Sequence, residues 1–309
     1  MVSIISTILK GVCISIHIRP YNREEDFNRV GDFLISTYKP GENPQNWLQP
    51  RWEYMHYLFF PPNLEKIGIF EDSENIVGVV HFEDKLGDAY FEIHPYFTHL
   101  KSEMLTYAEN NLYAELGNGR RYIRVFINDF DSEFESIAHS RGYKKDTNSA
   151  EYMSQFVIPD PFPSIKLPDG FLLKSLEDDN NLRKINRVLH RGFNHPGEPP
   201  EENIEFRKNI QKAPNFRKDL TIVVEAPHGD FVSFCGMWYE KTHKIAYVEP
   251  VATDPDYRFM GLGKAAVLEG IRRCGELGAA VAFVGSGLAF YEAIGFQKMF
   301  AYYVWRKYF

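Results

Sequence analysis

The feature that most constrains this chain is a glycine-spaced loop that leads from an apolar stretch into a helical pattern. The apolar stretch covers residues 245–252, and the loop reads Arg-Phe-Met-Gly-Leu-Gly at 258–263. The first N–H groups of a helix point outward and its dipole adds positive charge, so a strand that enters a helix in this way predicts an anion site. Gly261 and Gly263 leave room for a pyrophosphate and are expected to adopt positive φ angles, and the Arg258 guanidinium is expected to add further donors.

The sequence on both sides of this loop resembles the GNAT superfamily of N-acetyltransferases. Residues 249–264, Glu-Pro-Val-Ala-Thr-Asp-Pro-Asp-Tyr-Arg-Phe-Met-Gly-Leu-Gly-Lys, are similar to its acetyl-coenzyme A signature, which has the core R/Q-x-x-G-x-G/A. Residues 289–296, Ala-Phe-Tyr-Glu-Ala-Ile-Gly-Phe, resemble its second motif, in which a tyrosine stands four residues before a Gly-Phe pair. Because both motifs occur in the right order and at the right distance, the resemblance predicts a GNAT domain rather than an unrelated α/β protein with a chance glycine turn.

A proline-rich segment divides the chain into two halves. Residues 159–168 contain four prolines, a density that blocks helices and interior strands. We therefore predict a Pro-rich linker at residues 158–170, a first domain at 16–157 and a second domain at 171–309. Residues 1–15 are expected to form an N-terminal extension or an additional edge element.

The two halves follow the same order of predicted strands and helices, which indicates a duplication. The predicted fold class is α+β, with two tandem GNAT-like domains that each have a mixed, mostly antiparallel twisted sheet flanked by helices on both faces. The first half has no glycine in the segment that follows Ile93, and Ala138 stands where the second half has Tyr291. We therefore expect a degenerate N-terminal copy that shapes the substrate site or the domain interface, an arrangement similar to that of mycothiol synthase-like tandem acetyltransferases.

The resemblance implies which residues bind acetyl-coenzyme A. In the family, the strand before the loop splays from its neighbour and offers backbone N–H groups to the pantetheine arm and the acetyl oxygen. By alignment with Arg258, these groups belong to Val251 and Thr253; the alternative for both residues is ordinary strand packing. The other donor-binding residues are expected in and after the loop, and they are Arg258, Phe259, Met260, Gly261, Leu262, Gly263 and Lys264.

Acetyl transfer from a thioester to an amine requires that the amine lose a proton and that the departing thiolate gain one. Tyr291 matches the acid tyrosine of the family, and its alternative role is that of a core aromatic residue. Glu249 is the candidate base, because it stands two residues before Val251 and strand alternation places both side chains on one face. The alternative is a glutamate at a strand end in a surface contact. Tyr247 is expected on that same face, where it lines the substrate site.

Two further site residues stand where the family varies. Ser286 replaces an asparagine that often precedes the second motif, and it is expected to make the hydrogen bond of that asparagine near the donor. His195 belongs to the loop Asn194-His-Pro-Gly-Glu-Pro-Pro200, at the position of the variable acceptor loop of GNAT proteins. Its expected role is an acceptor contact or base, and the alternative is a solvated loop histidine.

Composition limits the remaining function classes. At 309 residues, 44% of them apolar, the chain is long enough for two folded domains, and its net charge of −7 argues against a general nucleic-acid binder. Three cysteines without paired spacing, Cys13, Cys235 and Cys274, predict neither disulfides nor a metal site. No apolar run reaches the length of a membrane span, and the first residues lack the basic start of a signal peptide, so we expect no membrane partner.

The sequence therefore predicts a cytoplasmic N-acetyltransferase that uses acetyl-coenzyme A, needs no metal and acetylates the primary amine of a small molecule. Direct attack of the amine on the thioester is expected, without an acyl-enzyme. Two alternatives stay open: a coenzyme A-binding sensor or pseudoenzyme, and an acyltransferase with another acyl donor or a protein acceptor. The chain is expected to be a monomer or a homodimer that binds no nucleic acid.

Overall fold

The computed structural model of the protein describes residues 3–9, 12–58 and 62–309. The chain forms two compact units, of which the first joins the residues up to Tyr152 with Phe300–Phe309, and the second is Met153–Met299. These boundaries differ from those predicted, which gave the C-terminal residues to the second domain. The physical reason is strand pairing, because residues 302–308 hydrogen-bond to residues 122–128 of the first unit.

Strands and helices alternate along the described part of the chain. The strands are β1 (Ser3–Leu9), β2 (Val12–Pro20), β3 (Gly68–Asp72), β4 (Asn75–His81), β5 (Asp88–Ile93), β6 (Ala114–Glu115), β7 (Arg121–Asn128), β8 (Lys144–Lys145), β9 (Glu151–Val157), β10 (Leu172–Ser175), β11 (Ile222–Glu225), β12 (Phe231–Glu240), β13 (Ile245–Thr253), β14 (Val281–Val284) and β15 (Gln297–Tyr308). The helices are α1 (Arg23–Thr37), α2 (Gln49–Leu58), α3 (Lys101–Asn111), α4 (Ser132–Ser140), α5 (Leu182–Gly192), α6 (Asn203–Ile210), α7 (Leu262–Glu276) and α8 (Ala289–Ile294).

Polar side chains cap three of these helices, and α7 is among those without such a cap. Asn22 caps α1, Asp131 caps α4 and Asn181 caps α5, each accepting a hydrogen bond from an N–H group of the first turn. Such caps satisfy donors that otherwise have no partner within the helix. Helix α7 is preceded instead by Gly261, which has no side chain to act as a cap. Its first N–H groups are therefore left for another acceptor.

In the first unit the strands follow the order β1-β2-β3-β4-β5-β7-β15, with β6 beside β7 and β8 beside β15. Neighbours are antiparallel apart from β5 and β7, which run parallel. Helices α1 and α3 pack against β4. Strand β1 lies at the edge of this sheet, which agrees with one of the two expectations for residues 1–15; residues 1, 2, 10 and 11 lie outside the described part.

In the second unit the strands follow the order β9-β14-β13-β12-β11-β10, and only β13 and β14 are parallel to each other. Alternate residues of β12 enter different cores. Phe234 packs with buried residues of α5, whereas Cys235 and Met237 pack with buried residues of α7. Because successive side chains of a strand point to opposite faces, α5 and α7 cover opposite faces of this sheet.

The proline-rich segment at residues 158–170 is irregular, as its composition predicts, but it packs onto the second unit. Its apolar side chains Ile158, Phe162, Ile165 and Leu167 lie half-buried against the α7 core, and the Ile158 N–H donates to the Ala280 oxygen at 3.0 Å. The segment is therefore a fixed part of that unit.

Each unit combines a mixed, mostly antiparallel sheet with helices packed against it. The predicted α+β class with two similar halves is therefore confirmed. Across residues 3–9, 12–58 and 62–309, none of the helices has both the length and the apolar character that a membrane crossing requires.

Candidate active site

Strand β13 separates from β14 partway along its length. The two strands pair only over Ile245–Tyr247, opposite residues 281–283, although β13 continues to Thr253. Beyond Tyr247, the described residues place no paired strand on that side of β13. The end of β13 therefore borders an open gap in the sheet.

Two backbone N–H groups at the end of β13 face this gap. The N–H of Asp254, the residue after the strand, donates to the Val232 oxygen on β12 at 2.9 Å. Hydrogen-bonding directions alternate along a strand, so the N–H groups of Thr253 and Val251 point away from β12. These are the two groups that the resemblance assigns to the pantetheine arm and the acetyl oxygen.

A β-bulge lies just before these residues. Met237 pairs with Val248 but Cys235 pairs with Val251, so a single residue of β12, Gly236, faces two residues of β13. A Cβ at Gly236 would clash with the backbone of β13, which explains the glycine in an otherwise apolar strand. A bulge of this kind re-aims the side chains that follow it.

The bulge overturns the prediction that Tyr247, Glu249 and Val251 share one face. Tyr247 pairs with Trp238, whereas Val251 pairs with Cys235, and residues three apart on β12 point to opposite faces. Tyr247 is only 1% exposed and is one of the largest fully buried side chains. It is therefore a core residue on the side away from Val251, and strand alternation does not support a substrate role for it.

The start of α7 presents backbone donors to the cleft. Gly261 precedes the helix with a φ of 80°, and a Cβ added there would meet no atom within 4 Å. The first intrahelical hydrogen bond runs from the Ala265 N–H to the Gly261 oxygen at 3.0 Å. The N–H groups of Leu262, Gly263 and Lys264 come before it and have no carbonyl within the helix to bond. The first turn has no acidic residue, so its positive end is not neutralised.

The two glycines of the loop serve different purposes, which corrects one expectation. Gly261 has the positive φ angle that was predicted, but Gly263 lies inside the helix with an ordinary angle. A Cβ at Gly263 would lie 2.8 Å from Thr253 Oγ1 and 3.3 Å from the Phe290 ring, so this glycine allows α7 to approach β13. The second left-handed residue of the loop is Phe259, with a φ of 64°.

The guanidinium of Arg258, for which a phosphate-binding role was predicted, donates hydrogen bonds to three oxygens of the protein. Its Nε donates to the Thr253 oxygen at 3.2 Å, and its Nη2 donates to the Gly192 oxygen and to Asn194 Oδ1, both at 2.9 Å. The carbonyl groups at a helix C-terminus lack intrahelical donors and carry partial negative charge. The guanidinium is therefore drawn to the end of α5 and bonds to the protein itself.

A cleft of about 400 Å³ brings most of the predicted donor-binding residues together. Its lining is mostly apolar, and the start of α7 supplies the backbone donors. The lining residues are Gly192, Val251, Ala252, Thr253, Tyr257, Arg258, Phe259, Gly261, Leu262, Gly263, Lys264, Leu288, Phe290, Tyr291, Ala293 and Ile294. In the part of the chain that the structure describes, no three His, Cys, Asp or Glu side chains form a group suited to a metal ion.

Tyr291 lines this cleft from α8. Its side chain is 8% exposed, and its ring makes edge contacts with Phe290 and Phe296 at centroid distances of 5.0 and 5.5 Å. Burial raises the pKa of the Tyr291 hydroxyl above its ordinary value, and the nearby Cys235 and Glu249 raise it further. The phenol therefore keeps its proton at neutral pH and is available as a donor.

Besides Tyr247, four predicted residues lie outside the lining. Glu249 sits in the bulge, half-buried, and its carbonyl accepts a hydrogen bond from Trp238 Nε1 at 2.9 Å. Ser286 Oγ accepts from the Leu288 N–H at 3.3 Å, so it shapes the turn before α8. His195 is exposed on the loop that follows α5. Met260 is 41% exposed beside Gly261.

The sequence interpretation missed the end of α5 and the residues that attach it to β13. Arg191 donates to Asp254 through Nε and Nη2 at 2.6 and 2.9 Å, and Nη2 also reaches Asp256 at 2.6 Å. Asp254 is fully buried. Burial opposes its ionisation, but the hydrogen bonds from Arg191 and the Asp256 N–H prevail, and the pKa of Asp254 lies below its ordinary value. A Gly-Phe-Asn sequence at the end of a helix was the available signal for this helix end.

The first unit has an equivalent strand end, and its own chain covers it. The N–H of His94 donates to the Val77 oxygen at 2.9 Å, as that of Asp254 does to β12, so Ile93 corresponds to Thr253. The Ile93 N–H donates to Asn46 Oδ1 at 2.8 Å, and Asn46 Nδ2 donates to the Ile93 oxygen at 3.1 Å. The donor that faces the cleft in the second unit is therefore already bonded in the first.

The start of the helix that follows this strand in the first unit is also covered by side chains. Leu100 precedes α3 and is fully buried, where the second unit has an open glycine. Lys101 Nζ bonds to Asp131 at 2.7 Å and to Glu133 at 2.8 Å, both at the start of α4. These ion pairs cross the place that corresponds to the cleft between α7 and α8.

The comparison with protein families decides the identity of the second half. Residues 182–296, from the start of α5 to the second residue after α8, match the model of the Acetyltransferase (GNAT) family. This part of the chain is a GNAT acetyltransferase domain. The match spans the bulge, the glycine loop and Tyr291. No curated protein sequence matches the chain closely enough to count as a relative.

Solved structures extend the likeness to both units. A GCN5-related N-acetyltransferase from Sphaerobacter thermophilus has a TM-score of 0.64 at 14% identity, covering 95% of each chain. A tandem GNAT protein from the clavulanic acid biosynthesis pathway has a TM-score of 0.64 at 12% identity, covering 95% of this chain and 98% of that one. A GNAT-family acetyltransferase from Colwellia psychrerythraea has a TM-score of 0.56 at 11% identity, covering 94% and 98%. At these identities the likeness concerns the fold, which is that of tandem GNAT proteins.

Proposed function

We propose that the second unit transfers an acetyl group from acetyl-coenzyme A to the primary amine of a small molecule. The observation that supports this most is the cleft, where the donors at the start of α7, the unpaired end of β13 and the buried phenol of Tyr291 meet. An anion site, a polar strand edge and a proton donor are the three parts that thioester aminolysis needs.

Donor binding falls to backbone groups. The N–H groups of Leu262, Gly263 and Lys264 bind the pyrophosphate of coenzyme A, and the helix dipole favours its negative charge. The Gly261 φ of 80° turns the chain so that these donors face the cleft. The pantetheine arm then lies along the end of β13, where the N–H groups of Val251 and Thr253 are directed into the gap.

The reaction proceeds by direct attack of the neutral amine on the acetyl carbon. Negative charge develops on the carbonyl oxygen, and a backbone N–H at the end of β13 stabilises it. The carbon–sulfur bond breaks as the amide forms, and the departing sulfur takes the proton of the Tyr291 hydroxyl. The raised pKa of this buried phenol keeps the proton available at neutral pH.

The amine proton passes through water to a base, for which Glu249 is our proposal. Glu249 is half-buried in the bulge and acts electrostatically on Tyr291, so it lies near the reacting groups without lining the cleft. A water molecule can carry a proton between groups that are close but not in direct contact. His195, exposed on the loop after α5, is the alternative base.

An acyl-enzyme is not part of this mechanism. Cys235 and Cys274 are free but buried, and burial raises the pKa of Cys235 above its ordinary range and that of Cys274 to about 12. A thiol without thiolate character is a poor nucleophile. The two free thiols also fit a reducing compartment, and we propose the cytoplasm.

The proposal is tested by incubating the protein with acetyl-coenzyme A and a panel of small amines, and by measuring the free thiol released. Turnover that depends on the amine is the expected result. The matched variant is Tyr291→Phe, which keeps the ring and removes the hydroxyl. If acetyl-coenzyme A binds but no amine, peptide or other acyl donor gives turnover, the domain is a coenzyme A sensor. If acetyl-coenzyme A does not bind, the donor assignment is wrong.

A further inference from the structure

Arg258 connects three segments that are far apart in sequence. Its guanidinium bonds to Thr253 at the end of β13, to Gly192 at the end of α5 and to Asn194 in the loop after α5, at distances of 2.9–3.2 Å. Asn194 has a φ of 59°, a left-handed conformation that asparagine tolerates better than most residues. Arg258 thus holds the first turn of the loop at residues 193–202.

The contact between α5 and β13 is unusually close. A Cβ at Gly192 would lie 2.6 Å from the Ala252 Cβ and 3.0 Å from the Thr253 nitrogen, so only glycine fits there. The backbone of α5 therefore rests directly on the residue whose N–H faces the cleft. Any shift of this helix end changes the surroundings of Thr253.

A second tie holds the same two elements together. Arg191 precedes Gly192 and makes a two-pronged ion pair with Asp254, which follows Thr253 and is fully buried. Two-pronged arginine–carboxylate pairs fix geometry as well as adding energy. Two consecutive residues of α5 are therefore attached to two consecutive residues at the end of β13.

We propose that Arg258, with the Arg191–Asp254 pair, positions the loop at residues 193–202 relative to the acyl-binding end of β13. The inference rests on the proposed function, in which Thr253 contacts the acyl group and the loop borders the acceptor. Arg258 is then a positioning residue and not a phosphate ligand, although it belongs to the glycine motif. Its role is to fix the position of the loop that borders the acceptor relative to the strand end that contacts the acyl group.

The two roles make opposite demands on the side chain. A phosphate ligand needs positive charge, which lysine supplies as a point charge. A tie between three carbonyl oxygens needs a planar fork, which lysine lacks. Arg258→Lys therefore keeps the property that a phosphate ligand requires and removes the property that the tie requires.

The test compares Arg258→Lys, Arg258→Gln, Asn194→Gly and Arg272→Gln with the wild type. Asn194→Gly keeps the left-handed backbone but removes the acceptor of Arg258. Arg272→Gln removes one positive charge from α7, where Arg272 pairs with Glu269 away from the cleft. Hydrogen exchange of residues 193–202 is measured without ligand, and the acetyl-coenzyme A Kd and the acceptor kcat/KM are measured separately.

We expect Arg258→Lys and Asn194→Gly to speed exchange in residues 193–202 by about tenfold or more. Both should lower kcat/KM for the acceptor by about 10- to 100-fold, the scale of a small misplacement, with the donor Kd changed by less than about threefold. The double variant should lose little more than either single one, because both break one tie. Arg272→Gln should resemble the wild type.

Unchanged exchange in residues 193–202 for both variants would overturn the proposal, whatever the activity. So would a donor Kd weakened tenfold or more by Arg258→Gln but kept by Arg258→Lys, since that pattern marks a phosphate contact. Failure of the wild type to bind acetyl-coenzyme A would contradict the proposed function instead. The exchange measurement would still decide whether Arg258 holds the loop.

Discussion

The starts of α7 and α3 occupy corresponding places in the two units and have opposite character. The start of α7 has an open glycine, no acidic residue in its first turn and a neighbouring strand end with outward N–H groups. The start of α3 has a buried leucine and a lysine tied to two carboxylates. The strand end beside it is bonded on both its N–H and its oxygen by Asn46.

The two units thus share an architecture but differ in whether their own side chains satisfy the backbone groups at this place. In the second unit the unsatisfied backbone donors are a deficit that an anionic ligand can remove. In the first unit the chain satisfies the corresponding groups with its own side chains, so a ligand would have to compete with existing hydrogen bonds. We therefore expect one donor site per chain.

The largest expected effect comes from filling the open glycine position. Gly261→Val should weaken acetyl-coenzyme A binding by about 100-fold or more, because the added methyl groups occupy the space in front of the first N–H groups of α7. The positive φ also strains the variant by about 1–2 kcal/mol. Gly119→Val is a matched control, since Gly119 has a φ of 79° and open space but lies in a turn of the first unit. Equal binding by both variants would show that the start of α7 is not the donor site.

A second contrast between the halves is that Tyr291, the proposed general acid, corresponds to Ala138 in the first half. Tyr291→Phe should lower kcat by about 100-fold, the scale of a lost general acid, with donor Kd and stability nearly unchanged. Tyr239→Phe is the control, because it removes a hydroxyl that bonds to the Leu277 oxygen away from the cleft. If kcat stays at the wild-type value in Tyr291→Phe, the tyrosine is only a core residue.

The hydrogen bonds of Asn46 at the strand end of the first unit are tested through the free energy of unfolding. Asn46→Ala leaves the N–H and the oxygen of Ile93 without their partner, which should cost about 1–3 kcal/mol in the free energy of unfolding. Acetylation by the second unit should not change, because the variant does not touch its cleft. Denaturant unfolding followed with the acetylation assay checks both points, and an unchanged midpoint would mean that Asn46 contributes nothing.

The smallest expected effect is a difference in acid sensitivity between the units. Burial lowers the pKa of His56 to about 3, and its ring accepts from the Tyr21 hydroxyl at 3.0 Å. The folded state disfavours the proton, so this part of the first unit's stability is full above pH 6.5 and falls as the pH drops toward 3. Asp254 in the second unit, with its lowered pKa, loses its contribution only below about pH 3.9.

Hydrogen exchange measured between pH 7 and 4.5, corrected for the intrinsic rate, checks this order. The first unit should lose protection before the second. Loss of protection in the second unit first would mean that His56 and Asp254 do not dominate the acid response of their units.

Local sequence was enough to predict the outward N–H groups at the start of α7, because a glycine loop between a strand and a helix has few possible structures. It was not enough for the faces of β13, since the bulge depends on Gly236 of the neighbouring strand. A lone glycine within the apolar run 231–239 was the available signal for that bulge. The role of Arg258 and the bonds of Asn46 involve partners 66 and 47 residues away, so tertiary structure alone decides them.

The central claim is that the chain binds one donor molecule, at the start of α7. Isothermal titration of the wild type and of Gly261→Val with acetyl-coenzyme A tests it most directly. The account predicts one site per chain in the wild type and none in the variant. Two sites in the wild type, or one that survives in Gly261→Val, would contradict it, because the first unit would then bind the donor despite its closed cleft.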